Sequence, residues 1–303
     1  MRSAELEQIL KPRPRKYRNL IKHLSDYVFT AESDDQTLSN EDVFHDLSSS
    51  RGTSRFLGYY STKGLDLGLQ LFGVYDKLKK IGLSKPKLLM DTSDPFLHKL
   101  TLIHTTNGID HISAELCLRR APITLPDPQQ TKAECLIVEW FMLQNPIKSF
   151  SRHRPQLPGQ DHPGLGISMI IFEILYWMAR RFNLDGVILV PNFLHTGILY
   201  GRQCAFLDPV RHGELQALTE MIDMKNTLDQ LSWACAEGQL IDTKSNLIYN
   251  WVPAPMAQPV SRKLRDWFYN PVYTQKLRNS HNSTTIKIRK KYKKQFSDTW
   301  MTL

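Results

Sequence analysis

The sequence predicts an α/β fold: a mixed, mostly antiparallel central sheet flanked by helices, with extra helical segments at both ends. Three observations predict it. Helical spacing of apolar residues gives way after Ile81 to three short apolar runs separated by turn residues. The stretch Cys135–Gln144 is apolar on both faces, the pattern of a central strand. A glycine-bearing loop, Gln160–Ser168, then opens the almost wholly apolar stretch Gly166–Phe182. Strand, glycine loop and helix in that order offer backbone N–H groups and a helix N-terminus to a phosphate.

The chain opens with two short helices. Leu6, Ile9 and Leu10 keep helical spacing until Pro12 ends it; Leu20, Ile21 and Leu24 follow the basic stretch Lys11–Lys16. Residues 31–55, rich in Ser, Asp and Thr, read as a loop or a partly disordered segment. Thr62 caps a helix that runs to Ile81 through Leu67, Leu71, Val74, Tyr75 and Leu78, and Gly82 stops it.

Strands Lys87–Asp91, His98–His104 and Ile112–Arg119 follow as an antiparallel meander. Asp91–Pro95 and Thr106–Gly108 supply the turns. After a loop at Pro122–Gln130 comes the central strand, then a loop over 145–163 with four prolines. Beyond the apolar helix, whose Arg180 and Arg181 suit its dipole, lie a buried strand at Gly186–Pro191, a short helix at Leu194–Arg202 and a strand at Ala205–Leu207. Glu214–Cys235 has helical spacing, Trp251–Pro255 is a loop, and Leu264, Trp267, Phe268 and Tyr273 mark an aromatic-rich helix. The expected divisions are an extension over 1–55, a core over 56–212, a helical extension over 213–275 and a basic tail over 276–303.

Composition excludes several classes. The apolar fraction of 41% and charged fraction of 23% are those of a globular protein. No apolar run reaches the ~18 residues of a spanning helix, and the N-terminus lacks a signal-peptide core, so a cytoplasmic protein without a transmembrane segment is expected. Cys117, Cys135, Cys204 and Cys235 form no CxxC pair and read as small core residues, and His162 and His195 are too far apart for a local site, with no His/Glu/Asp cluster to back them, so no metal is expected. The net charge of +9 is carried almost entirely by eight basic residues between Lys276 and Lys294, a span without an acid. That tail, Lys287–Lys294 above all, is a solvated terminus or a grip for nucleic acid or another anionic surface.

The order helix, meander, central strand, glycine loop, helix, strand, short helix, strand resembles the core of a GNAT-type N-acetyltransferase over roughly residues 60–210. The family's acetyl-CoA loop reads Gln/Arg-x-x-Gly-x-Gly/Ala; Gln160–Gly166 reads Gln-x-x-x-Gly-x-Gly, one residue longer, with Pro163 lacking an N–H and Asp161 carrying a negative charge. The family's next strand leads to an Asn and then a helix with a Tyr, as Asn192 and Tyr200 do here. The resemblance implies acetyl-CoA or another acyl-CoA as substrate, held by Leu143, Gln144, Gln160, Gly164, Leu165, Gly166, Ile167, Ser168 and Asn192. It implies acyl transfer to an amine by direct attack on the thioester, with the central strand giving an N–H to the thioester carbonyl and Tyr200 as general acid. The alternative is a catalytically inactive relative of that fold that binds nucleic acid or a partner through its basic tail.

The amine must lose a proton, since an alkyl ammonium titrates near 10.4. Glu139 on the central strand is one candidate base; burial beside Trp140 and Phe141 would raise its pKa. His162, in the glycine loop, and His195, opening the short helix, are candidate proton shuttles near neutral pH.

Overall fold

In a computed structural model of the chain, the residues described are 7, 9–11, 13–22, 29–30, 55–224 and 226–289. Leu6, Pro12, Leu24, the polar segment to residue 54 and the tail from Lys290 lie outside them. The expected meander is present. β1 (Lys87–Asp91), β2 (His98–Thr106), β3 (Ile109–Thr124) and β4 (Lys132–Leu143) pair antiparallel in sequence order. Asn107 and Gly108, both at positive φ, make the β2–β3 turn, the geometry that matches strand twist. β3 runs on through Pro122, which faces Glu134, so the loop expected from Pro122 starts only after Thr124.

β5 (Gly186–Leu189) joins β4 in parallel, after the crossover helix that fills Ser168–Arg181. β6 (Ala205–Phe206) does not pair with β5. Of the later strands, β7 (Leu240–Asp242) and β9 (Ile286–Ile288) form a separate ribbon, while β8 (Met256–Pro259) enters the main sheet. It stands between β5 and β6, antiparallel to both, giving the order β1-β2-β3-β4-β5-β8-β6. The sheet is therefore mostly antiparallel with one parallel pair. It also extends past residue 212, where the core was expected to end.

Among the described residues the helices with both ends given are α1 (Arg15–Lys22), α2 (Thr62–Leu71), α3 (Val74–Lys80), α4 (Ser168–Arg181), α5 (Leu194–Tyr200), α6 (Pro209–Met224), α7 (Leu228–Ala236), α8 (Arg262–Tyr269) and α9 (Pro271–Ser283). Two expectations are corrected here. The cap of α2 is Ser61, whose hydroxyl accepts from the Gly64 N–H at 3.0 Å, and not Thr62. The single helix expected to Ile81 breaks at Gly73, whose φ of +80° ends α2 and starts α3. Likewise Glu214–Cys235 is two helices, α6 and α7, the second capped by Thr227.

Leu118, Leu136, Val138, Val187, Leu189, Phe206 and Met256 pack with α2, α3 and α4 through Leu65, Leu78, Phe172 and Leu175. The alternate strand residues Cys135, Ile137, Ile188, Ala205 and Ala257 pack on the other face with Leu264, Trp267 and Phe268 of α8 and Tyr273 and Leu277 of α9. The aromatic C-terminal segment thus covers a sheet face. Its anchor is Tyr273, fully buried, whose hydroxyl donates to the Phe206 carbonyl at 2.6 Å and meets His212 Nδ1 at 2.7 Å.

The chain before α1 is tied to the core by a charge. Arg13 is buried with its Nη1 3.1 Å from Glu173 of α4 and 2.7 Å from Gln203, its Nη2 on the Ile9 carbonyl, and its guanidinium over the Tyr176 ring at 4.5 Å.

Helices α6 and α9 cross at Gly213. A Cβ there would sit 2.4 Å from the Leu277 carbonyl oxygen and 2.7 Å from the His281 nitrogen. Both are backbone atoms, so relief requires moving α9. Gly213→Ala is expected to destabilise by about 1–3 kcal/mol, despite alanine's better helix propensity. Urea denaturation checks it; a neutral or stabilising result would contradict this crossing.

Candidate functional site

The decisive local event is a bulge in β4. Leu118 faces Val138, but its neighbour Cys117 faces Trp140, so Glu139 is the extra residue on β4. Bulges bend a strand and end pairing. Pairing between β4 and β5 stops at the same place: Val138–Leu189 is the last rung, while β4 continues to Leu143 against β3 alone. A wedge opens between residues 139–143 and the chain leaving β5.

One lip of this wedge carries unused donors. The Gln144 N–H donates to the Ser113 carbonyl at 2.9 Å, on the β3 side. Alternation along an antiparallel strand turns the N–H groups of Phe141 and Leu143 the other way, where β5 has ended. Gln144 itself is committed to β3, its side chain also donating to the Ile112 carbonyl at 3.3 Å.

The glycine loop lies across the end of β4. A Cβ on Gly164 would stand 3.7 Å from the Leu143 carbonyl oxygen, and the Asn145 N–H donates to the Pro163 carbonyl at 2.7 Å. From Gly164 through Leu165, Gly166, Ile167 and Ser168 to Met169, no backbone N–H donates to another described residue. Gly166 holds φ +70°, where a side chain would be strained. Helix α4 starts at Ser168 with no side-chain cap. Arg154 donates to the Gly164 carbonyl at 3.3 Å and is exposed, so a guanidinium stands beside this row of donors.

Gln160 does not extend toward the donors. Its side chain accepts from the Leu157 N–H at 3.2 Å and its carbonyl accepts from Gln156, which closes the turn before the loop. Asp161 is exposed, and Asn192 is exposed beyond the end of β5.

Tyr200, at the end of α5, sits at the wedge. Its ring lies 6.1 Å from Phe141 of β4 and 5.4 Å from Phe172 of α4. Burial among these rings, with Cys204 nearby, pushes its hydroxyl up to about 12, so it is protonated at neutral pH.

The other titrating candidates change character. Glu139, a candidate base if buried and otherwise an ordinary solvent-facing carboxylate, is exposed at the bulge, where it pairs with Arg119. His195 was expected to shuttle protons near neutral pH. It is buried, stacked on Phe193, and burial pushes its pKa down to about 4, so the imidazole is uncharged at neutral pH. Its Nδ1 has no partner among the described residues. The Phe193 ring lies where a Cβ on Gly159 would be, which links this histidine to the proline-rich loop. His162 is half-buried in the glycine loop.

Sequence reasoning missed Arg154 and the bulge. Arg154 lies ten residues from the glycine it touches, and no spacing rule joins them. The bulge depends on the register between two strands, which one strand's sequence does not contain. Among the described residues, no group of three or more His, Cys, Asp or Glu is placed to hold a metal ion, and no helix is long and apolar enough to cross a membrane. A surface hollow on α6 and α9, lined by Glu220, His281 and Thr284 among others, includes none of the wedge residues. Comparison with family models, curated proteins and solved structures finds no match.

Proposed function

We propose that the chain is an acyl-CoA-dependent N-acyltransferase of the GNAT type, transferring an acetyl group to an amine. The observation that carries this reading is the wedge beyond Val138–Leu189, flanked by the row of unpaired N–H groups from Gly164 to Met169. Six donors and a helix N-terminus suit a pyrophosphate. Pro163 and Asp161 count against it, and the Arg154 guanidinium beside Gly164 offsets them by placing a positive charge at the same turn.

The chemistry follows from the lips of the wedge. The thioester carbonyl oxygen accepts from the Phe141 N–H group, which stabilises the oxyanion as the amine attacks. The C–N bond forms and the C–S bond breaks. The ammonium first gives one proton to solvent; the neutral amine then loses a second as it acylates, and sulfur gains one. In this reading the His162 imidazole, or the Glu139 carboxylate that Arg119 holds, takes the amine's second proton. Tyr200 donates to the departing sulfur. Its pKa of about 12 stands well above the ~8.5 of a thiol, so it supplies a hydrogen bond to the developing thiolate and recovers any proton it gives from water.

Saturating acetyl-CoA is expected to stabilise the fold, by about 2.7 kcal/mol at a hundredfold excess over Kd. A thermal-shift titration reads this directly. No shift at saturation would remove the enzyme reading.

A further inference from the structure

The two sides of the wedge are covered unequally. Phe141 packs against Phe172 of α4 and Tyr200 of α5, so that side is roofed by helices. On the opposite face the cover given by α8 and α9 ends with the Ile137 and Ile188 rung. Beyond it, Trp140 follows the bulge and alternates with Phe141, so it lies on the uncovered face. It is 49% exposed although β4 is an interior strand, and Val190, the first residue past the last β5 rung, is 46% exposed. Large apolar side chains held in water on both lips of one opening mark a binding surface. Beside Trp140 stands the Glu139 carboxylate, exposed at the bulge.

We infer that this open mouth is the acceptor site and selects a small primary amine carried on an aromatic or aliphatic body; the inference rests on the acyltransferase reading. The glycine loop and the N-terminus of α4 belong to the helix-covered side, so a phosphate-bearing donor reaches the wedge from there. The second substrate is left the other side, where it must pass Trp140 and Val190. Its apolar body lies on the indole, its ammonium end joins Arg119 on the Glu139 carboxylate, whose Oε1 alone the guanidinium takes, and the indole face adds attraction for a cation. The size of the patch argues for a small molecule. A half-exposed tryptophan and valine offer on the order of 10² Å² of apolar surface, against about 800 Å² per partner in a stable protein interface.

Phenethylamine and ethanolamine are the probes, with acetyl-CoA as donor. The wild-type chain is expected to favour phenethylamine in kcat/KM by about tenfold or more. Trp140→Ala should bring the two amines to near parity, mainly through KM, and Trp140→Phe should keep most of the preference. Binding is read separately by ligand-observed NMR without acetyl-CoA: phenethylamine should bind the wild-type chain and lose binding in Trp140→Ala, whose fold is checked by circular dichroism. Preference for ethanolamine, or an unchanged ratio and unchanged phenethylamine binding in Trp140→Ala, overturns the acceptor assignment. Loss of the acetyl-CoA thermal shift with phenethylamine binding intact would overturn the enzyme reading and leave the amine site standing.

Discussion

Replacing Arg13 with alanine is expected to destabilise the fold by about 3–5 kcal/mol, the cost of leaving one member of a buried ion pair alone. The pair is well enclosed: the Arg13 and Glu173 side chains keep 8% and 7% of their exposure, and the second carboxylate oxygen of Glu173 has no partner among the described residues. Without Arg13, the buried charge on α4 would keep only the weaker pull of Lys16 among the described residues. The loss should depend on pH, and the sign can be worked out. Burial raises the Glu173 pKa, Arg13 pulls it back, and the net stays above the ordinary value. Removing Arg13 raises it further. A carboxyl whose folded pKa exceeds its unfolded one favours folding below the unfolded value and loses that contribution as pH rises through the folded one. Arg13→Ala should therefore cost more at pH 8 than at pH 4.5. Adding Glu173→Gln should recover part of the loss by removing the charge. Urea titrations at both pH values measure this; a cost under about 1 kcal/mol, or one equal at both, would refute the buried pair.

Tyr200→Phe is expected to lower kcat for acetyl transfer by about 10²–10³-fold, within the range for losing a positioned proton donor. Phenylalanine fits the same enclosure between Phe141 and Phe172, so stability and acetyl-CoA binding should stay near wild type. Burial pushes the hydroxyl up to about 12, and it is the protonated form that donates. Activity should therefore show no alkaline loss from this group across pH 6–9. Single-turnover rates across that range test both points; unchanged kcat in the variant would take Tyr200 out of the reaction.

The strands that carry their own signal were legible. β1 ends at the residues its apolar run marks, and the double-sided apolarity of β4 does correspond to an interior strand. What was hidden depends on partners. β8 reads Met-Ala-Gln-Pro after Pro255, a segment with little strand propensity that pairs only because β5 and β6 leave a slot for it. Gly73 broke a helix whose apolar spacing continues across it. At the site, the glycine loop and Tyr200 stood out by type and order, whereas the Glu139 bulge arises from the register of β3 on β4. Arg13 stands in a basic proline-broken stretch, where no pattern singles it out from its neighbours as the buried charge.

The position of β8 also sets the order in which this chain can assemble. β5 and β6 are complete by residue 206, yet their shared neighbour comes from residues 256–259. During synthesis from the N-terminus, the meander can close early through local contacts. The far end of the sheet must wait with two strand edges exposed until some fifty more residues have been made. Helices α8 and α9, which follow β8, then seal the second face. The segment that completes the sheet is thus made well after the strands it joins, and products ending before it would carry unpaired edges prone to association.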